Sequence, residues 1–108
     1  MKHITHSDFQ TEVVDSNGPV LVDFFAPWCG PCKALSPVLE SLATAYEGRL
    51  QVVKLDIDGE GNQELVTSLG IRNVPTLKFF KQGKSHNTIV GFAPKNKIVE
   101  AIESIINQ

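Results

Sequence analysis

The segment Val20-Leu21-Val22-Asp23-Phe24-Phe25-Ala26-Pro27-Trp28-Cys29-Gly30-Pro31-Cys32-Lys33 joins an apolar run to two cysteines three positions apart. Val20–Phe25, interrupted only by Asp23, has the near-continuous apolar character of a strand covered on both faces. After the cysteines, Leu35, Val38, Leu39, Leu42, Ala43 and Tyr46 follow helical spacing, with Gly48 just past the end. The pattern predicts a buried strand, a short connection carrying Cys29, and a helix beginning near Pro31. Pro37 interrupts that helix and predicts a kink.

Outward from this unit the same alternation continues. Lys2–Thr5 reads as a short strand, and Ser7-Asp8-Phe9-Gln10 as a capping box opening a short helix with Phe9 and Val13 on one face. Leu50–Ile57 is strand-like and Asn62–Leu69 helical, stopped at Gly70. Thr76–Phe80 and Thr88–Val90 flank a tight turn containing Gln82-Gly83, which predicts an antiparallel hairpin. Ile98, Val99, Ile102, Ile105 and Ile106 form the stripe of a last helix. Strands joined by helices pair in parallel through right-handed crossovers, and the hairpin adds an antiparallel edge. The expected class is α/β: a mixed central sheet of about five strands with four helices distributed over both faces.

A chain of 108 residues makes one domain, spanning 1–108. Ten basic and twelve acidic residues, scattered along it, give a formal charge of −2 and no footprint for nucleic acid or anionic membrane. Met1-Lys2-His3-Ile4-Thr5 lacks the apolar run of a signal peptide, so a cytoplasmic location is expected. A monomer is expected as well.

In a reducing compartment a close cysteine pair points to redox chemistry or metal binding rather than to a structural bridge. A bridge between Cys29 and Cys32 would also close too short a loop to constrain the unfolded chain much. Cys29, just ahead of a helix, would meet free backbone N–H groups and the positive end of the macrodipole, which favour its thiolate. Cys32, in the first turn, is expected to be more buried and protonated. Gly30 would allow a tight turn beside a large partner, and Pro31 suits the first helical position. Exchange then runs in two steps, with Cys29 attacking a substrate disulfide and Cys32 resolving the mixed disulfide. A zinc site would want four ligands; His3, His6 and His86 lie far from the pair in sequence and show no ligand spacing, so no metal is expected.

The run Val22–Lys33, with Trp28-Cys29-Gly30-Pro31-Cys32 at its centre, resembles the signature of the thioredoxin family, and the order of elements matches from about Lys2 to Gln108. That family is itself a standard case of a lowered cysteine pKa. The resemblance implies the thioredoxin fold and a protein-disulfide reductase acting on disulfide-containing proteins, without a bound cofactor. Having no nucleotide-binding glycine fingerprint, such a chain is re-reduced by a separate thioredoxin reductase. An oxidase or isomerase, or a redox-dependent binding subunit without turnover, is the alternative within the same fold. Two positions depart from the commonest pattern: Phe25 replaces a second tryptophan, and Pro94 stands where a serine often caps the last helix.

Asp23 is either turned to a polar surface or buried, and burial would raise its pKa and make it a candidate base for Cys32. Lys54, equally odd within Val52-Val53-Lys54-Leu55, could partner it or snorkel to solvent. The resemblance implies a buried Asp23–Lys54 pair beneath the cysteines. It also implies a cis Val74–Pro75 bond facing them, whose neighbouring backbone can pair with an extended substrate. Trp28, Gly30, Pro31, Val74, Pro75 and Gly91, with Ile57 and Phe92 at the margin, then form a small apolar docking patch.

Overall fold

A computed structural model describes residues 1–108. Five strands, β1 (Lys2–Ile4), β2 (Val20–Phe25), β3 (Gln51–Asp56), β4 (Thr76–Lys81) and β5 (Lys84–Val90), form one sheet in the order β1-β3-β2-β4-β5. β3 pairs in parallel with both β1 and β2, whereas β4 runs antiparallel to β2 and β5 antiparallel to β4. Three α-helices, α1 (Gly30–Ala45), α2 (Gln63–Ser68) and α3 (Lys95–Ile106), and a π-type turn over Gln10–Val14 complete the chain. No helix is long and apolar enough to cross a membrane.

Strand periodicity divides the core in two. Leu21, Leu77 and Phe79 pack with Leu35, Leu39 and Leu42 of α1 and Ile98, Ile102 and Ile105 of α3. Val20, Val22, Phe24, Val53 and Leu55 pack on the opposite face with Phe9, Val13 and Val66. Alternation along β2 and β3 therefore sets Asp23 and Lys54 on the side that α1 covers. They are also direct neighbours in the parallel register.

Several local expectations need correction. Ser7 does not cap the first helical turn. The carboxylate of Asp8 accepts the Thr5 N–H at 3.0 Å, and Thr5 Oγ1 accepts the Ser7 N–H at 3.2 Å, so the capping interactions begin two residues earlier. The turn closes through an Asp15 N–H to Gln10 O bond rather than as an α-helix. β5 begins four residues before Thr88, because an edge strand can keep an entirely polar stretch in solvent. Gln82 and Gly83 both adopt positive φ, at 52° and 78°, the pattern of a two-residue hairpin turn that follows sheet twist. α1 runs unbroken through Pro37. Pro94 is extended and sits at the cap position of α3, as its place in the sequence suggests, and no side chain caps that end. The Lys81 ammonium donates to the carbonyl of Ile105 in the last turn of α3 and to that of Gln108 just beyond it.

Candidate active site

In an open sheet with parallel strands, the loops beyond the strands' carboxyl ends gather at one edge. The loops after β2 and β3 do so here, and the cysteines lie in the first. The Cys29 N–H bonds to Ala26 O at 3.1 Å, closing a turn through Pro27 and Trp28. Cys29 is extended (φ −87°, ψ 111°) and is the N-cap of α1. Its Sγ accepts the Cys32 N–H at 3.1 Å, the interaction that a serine or aspartate oxygen usually makes at this position. The sulfur thus lies on a free donor at the positive end of the helix, where negative charge is favoured.

Gly30 is the first helical residue and Pro31 the second, one place later than expected. Pro31 still lacks only an N–H that would have had no intrahelical partner. Gly30 is not required by its own backbone: its φ lies outside the left-handed region and an added Cβ would meet nothing within 4 Å. What its missing side chain leaves open is the outer surface.

Cys29 and Cys32 are joined as a disulfide, with Cα atoms 5.2 Å apart. Both are 4 % exposed, so the expected difference in burial is absent from this oxidised form. The reason is packing: one bond holds both sulfurs, and Ala26, Phe25, Ile57 and Val74 close around them. No third histidine, cysteine or carboxylate side chain joins the pair in a metal-binding group.

Val74 arrives from the loop before β4 and is followed by a cis peptide bond to Pro75. Thr76 Oγ1 donates to Asn73 O at 2.6 Å, and Pro75 O accepts the Gly91 N–H at 2.7 Å. These bonds tie the Val74–Pro75 segment to the end of β5. Gly91 has φ +86°, a conformation other residues adopt only with strain. The structure thus brings Val74, Pro75 and Gly91 together, with Val74 packed against the cysteines.

Asp23 is 1 % exposed, and neither carboxylate oxygen has a hydrogen-bond partner. Burial pushes its pKa up from 3.8 to about 6, with Lys54 partly opposing the shift. The expected ion pair does not form: the chain's only ion pairs are Met1–Glu40 and Lys2–Glu12. The Lys54 ammonium lies 4.4 Å from the centre of the Phe25 ring, a cation–π contact that holds it at the rim of the site. Lys54 acts on Asp23 at a distance and borders a cleft of about 220 Å³ that also reaches Cys32, Phe25 and Ser36.

Trp28 is 68 % exposed, and its indole N–H donates to Asp58 Oδ2 at 2.6 Å. Asp58 escaped the sequence reading because the contact joins loops 30 residues apart. The available signal was topological: Asp58 follows β3, the parallel neighbour of β2. Its own N–H is held by Asp56 Oδ1 at 2.9 Å. Asp58→Ala should free the indole, at a cost of about 1 kcal/mol in orientation, and slow reduction of a protein disulfide roughly fivefold. Trp28 is the only tryptophan, so its fluorescence reports the change directly. Unchanged emission and rate would show that Asp58 does not position it.

Residues 1–104 match the family model described as thioredoxin. Thioredoxin 1 of Nostoc sp. is 45% identical over 100 residues, covering 93% of this chain and 92% of its own length. The thioredoxin of Chlorobaculum thiosulfatiphilum is 46% identical over 102 residues, covering 94% and 93%. The chloroplastic M-type thioredoxin of Chlamydomonas reinhardtii is 42% identical over 104 residues, covering 96% of this chain and 73% of its own. With a family match over nearly the whole length, a five-stranded mixed sheet and a disulfide at the head of α1, the chain belongs to the thioredoxin family of thiol–disulfide oxidoreductases.

Proposed function

We propose that this protein-disulfide reductase attacks with Cys29, resolves with Cys32, uses Asp23 as the base for the second step, and is returned to the dithiol by a thioredoxin reductase. The observation that carries the assignment is the bond from the Cys32 N–H to Cys29 Sγ, because it favours the thiolate on Cys29 in the reduced protein. The Cys29 thiolate displaces one sulfur of a substrate disulfide, which leaves as a thiolate and takes a proton. Cys32 gives its proton to the Asp23 carboxylate and attacks Cys29 Sγ, expelling the second substrate sulfur. Two electrons pass to the substrate, and Cys29–Cys32 is left oxidised.

Trp28, Gly30, Pro31, Val74, Pro75 and Gly91 form the docking surface of this reading, and Lys54 tunes Asp23. The whole chain works as one monomeric domain. A dithiol that must be regenerated continually belongs in a reducing compartment, and the reading assigns it to the cytoplasm.

The test is insulin reduction with the protein at catalytic concentration, supplied in turn with an NADPH-linked flavin reductase and a ferredoxin-linked one. At least one should sustain turnover. If dithiothreitol supports accelerated insulin reduction but neither reductase does, the assigned electron donor is wrong. If the dithiothreitol-reduced protein adds nothing to dithiothreitol alone, the attacking role of Cys29 falls as well.

A further inference from the structure

Two partners compete for the Lys54 ammonium on one face of the sheet. Asp23 is its direct neighbour in the parallel β2–β3 register, and Phe25, two residues further along β2, is the diagonal one. An ammonium beside a buried carboxylate would ordinarily pair with it. Instead both Asp23 oxygens lack a partner, and the Lys54 nitrogen stands 4.4 Å from the centre of the Phe25 ring. The ring is itself braced. His3, the neighbour of Lys54 on β1, meets it edge-on with centroids 5.6 Å apart, and Phe25 also packs against Ala26 and the two cysteines. Other charged and titratable groups around Asp23 are few. β4 sets Leu77 opposite it, and α1 contributes Cys32, bonded to Cys29, and Lys33, which shares the cleft with Lys54. Glu40, further along α1, is taken by the Met1 amino group. Lys54 alone opposes the effect of burial on the Asp23 carboxyl.

We propose that Phe25 is a positioning residue for the resolving step: its ring holds the Lys54 ammonium off Asp23, leaving the carboxylate unpaired and free to take the Cys32 proton. Pairing with Asp23 would draw the ammonium out of water, whereas over the ring, beside the cleft, Lys54 stays half-exposed. A direct ion pair would also stabilise the carboxylate and weaken it as a base. The ring therefore sets a distance. Lys54 is near enough to oppose burial and too far to occupy the oxygens that must receive the proton. The inference rests on the base role given to Asp23.

The test compares wild type, Phe25→Leu, Phe25→Tyr and Lys54→Met in two measurements. In the oxidised protein, where the cysteines do not titrate, the Asp23 carboxyl carbon, assigned with Asp23→Asn, is followed by NMR from about pH 4 to pH 9. Phe25→Leu should lower its midpoint by about one pH unit or more, and Phe25→Tyr should keep it. In the second, reduced protein freed of dithiothreitol is mixed with a peptide disulfide, and acid quench with mass spectrometry reads the mixed disulfide that builds up before Cys32 resolves it. Phe25→Leu should raise that peak roughly threefold, the effect of a base weakened about tenfold. On a Lys54→Met background Phe25→Leu should change neither readout. An unmoved midpoint in Phe25→Leu overturns the proposal. So does an equal fall on the Lys54→Met background, which would assign the effect to packing. Should Phe25→Leu not fold, the wild type still decides: the Lys54 ε-methylene protons should resonate well upfield under the ring, and ordinary lysine shifts overturn the contact. Asp23→Asn separates the two readings. If it builds up no extra mixed disulfide, the base role itself falls. If it does while Phe25→Leu does not, only the positioning role falls.

Discussion

Serine at position 29 should abolish disulfide reduction, whereas serine at position 32 should convert the protein into a covalent trap. The two cysteines are equally buried in the oxidised form, so accessibility there does not distinguish them. Their backbone positions do. Cys29 is the extended residue ahead of α1, and its sulfur accepts an N–H from the first helical turn. Cys32 lies inside that turn, with its own N–H committed to Cys29 and its side chain on the buried face of the helix. Once the bond is reduced, the thiolate is favoured on Cys29, and a thiolate is the attacking species. Cys29→Ser removes that nucleophile and should lower the rate on the order of 10³-fold or more. Cys32→Ser leaves the attack intact but removes the only group that can release the mixed disulfide. Mass spectrometry after mixing each variant with a disulfide protein should show an adduct for Cys32→Ser alone. An adduct with Cys29→Ser, and none with Cys32→Ser, would exchange the two roles.

Local signals of length and period carried most of the architecture. β2 was legible because a strand covered on both faces must be nearly all apolar, and α1 and α3 because their stripes repeat at helical spacing. β5 was read short because Lys84–Asn87 are polar, and only its place at the sheet edge makes such residues acceptable in a strand. The cap at Thr5 and Asp8 was missed because a Ser-x-x-Gln pattern overlaps it two residues later. At the site, Cys29 and Cys32 were visible from spacing, and Asp23 and Lys54 as charged residues within apolar runs. How Lys54 is used was not visible. The choice between a carboxylate and an aromatic face depends on where Phe25 lies in three dimensions. Asp58 was hidden for the same reason, since its partner indole comes from a different loop.

Asp23→Ala should make the protein more stable at neutral pH and a poorer reductase. The wild-type carboxyl is buried without a hydrogen-bond partner, and its pKa rises from 3.8 to about 6 on folding. Below pH 3.8 it is protonated in both states and carries no charge penalty. Between 3.8 and about 6 the native state holds more protons than the unfolded chain, so stability falls as pH rises. Above about 6 the loss is complete and amounts to about 3 kcal/mol, at 1.36 kcal/mol per pH unit of difference. Alanine removes this burden and leaves a small cavity, so the net gain at pH 7 should be on the order of 1–2 kcal/mol. Proton transfer from Cys32 then falls to solvent, and turnover should drop by roughly one to two orders of magnitude. Lys54→Met should extend the pH window upward, because it removes the one charge that opposes the shift. Urea unfolding of wild type and Asp23→Ala from pH 4 to pH 8, beside insulin reduction, tests both halves. The wild-type stability should decline across the acid range relative to the variant and then run parallel to it. If the two profiles are parallel throughout, Asp23 does not titrate as a buried acid, and the proton of Cys32 must leave by another route.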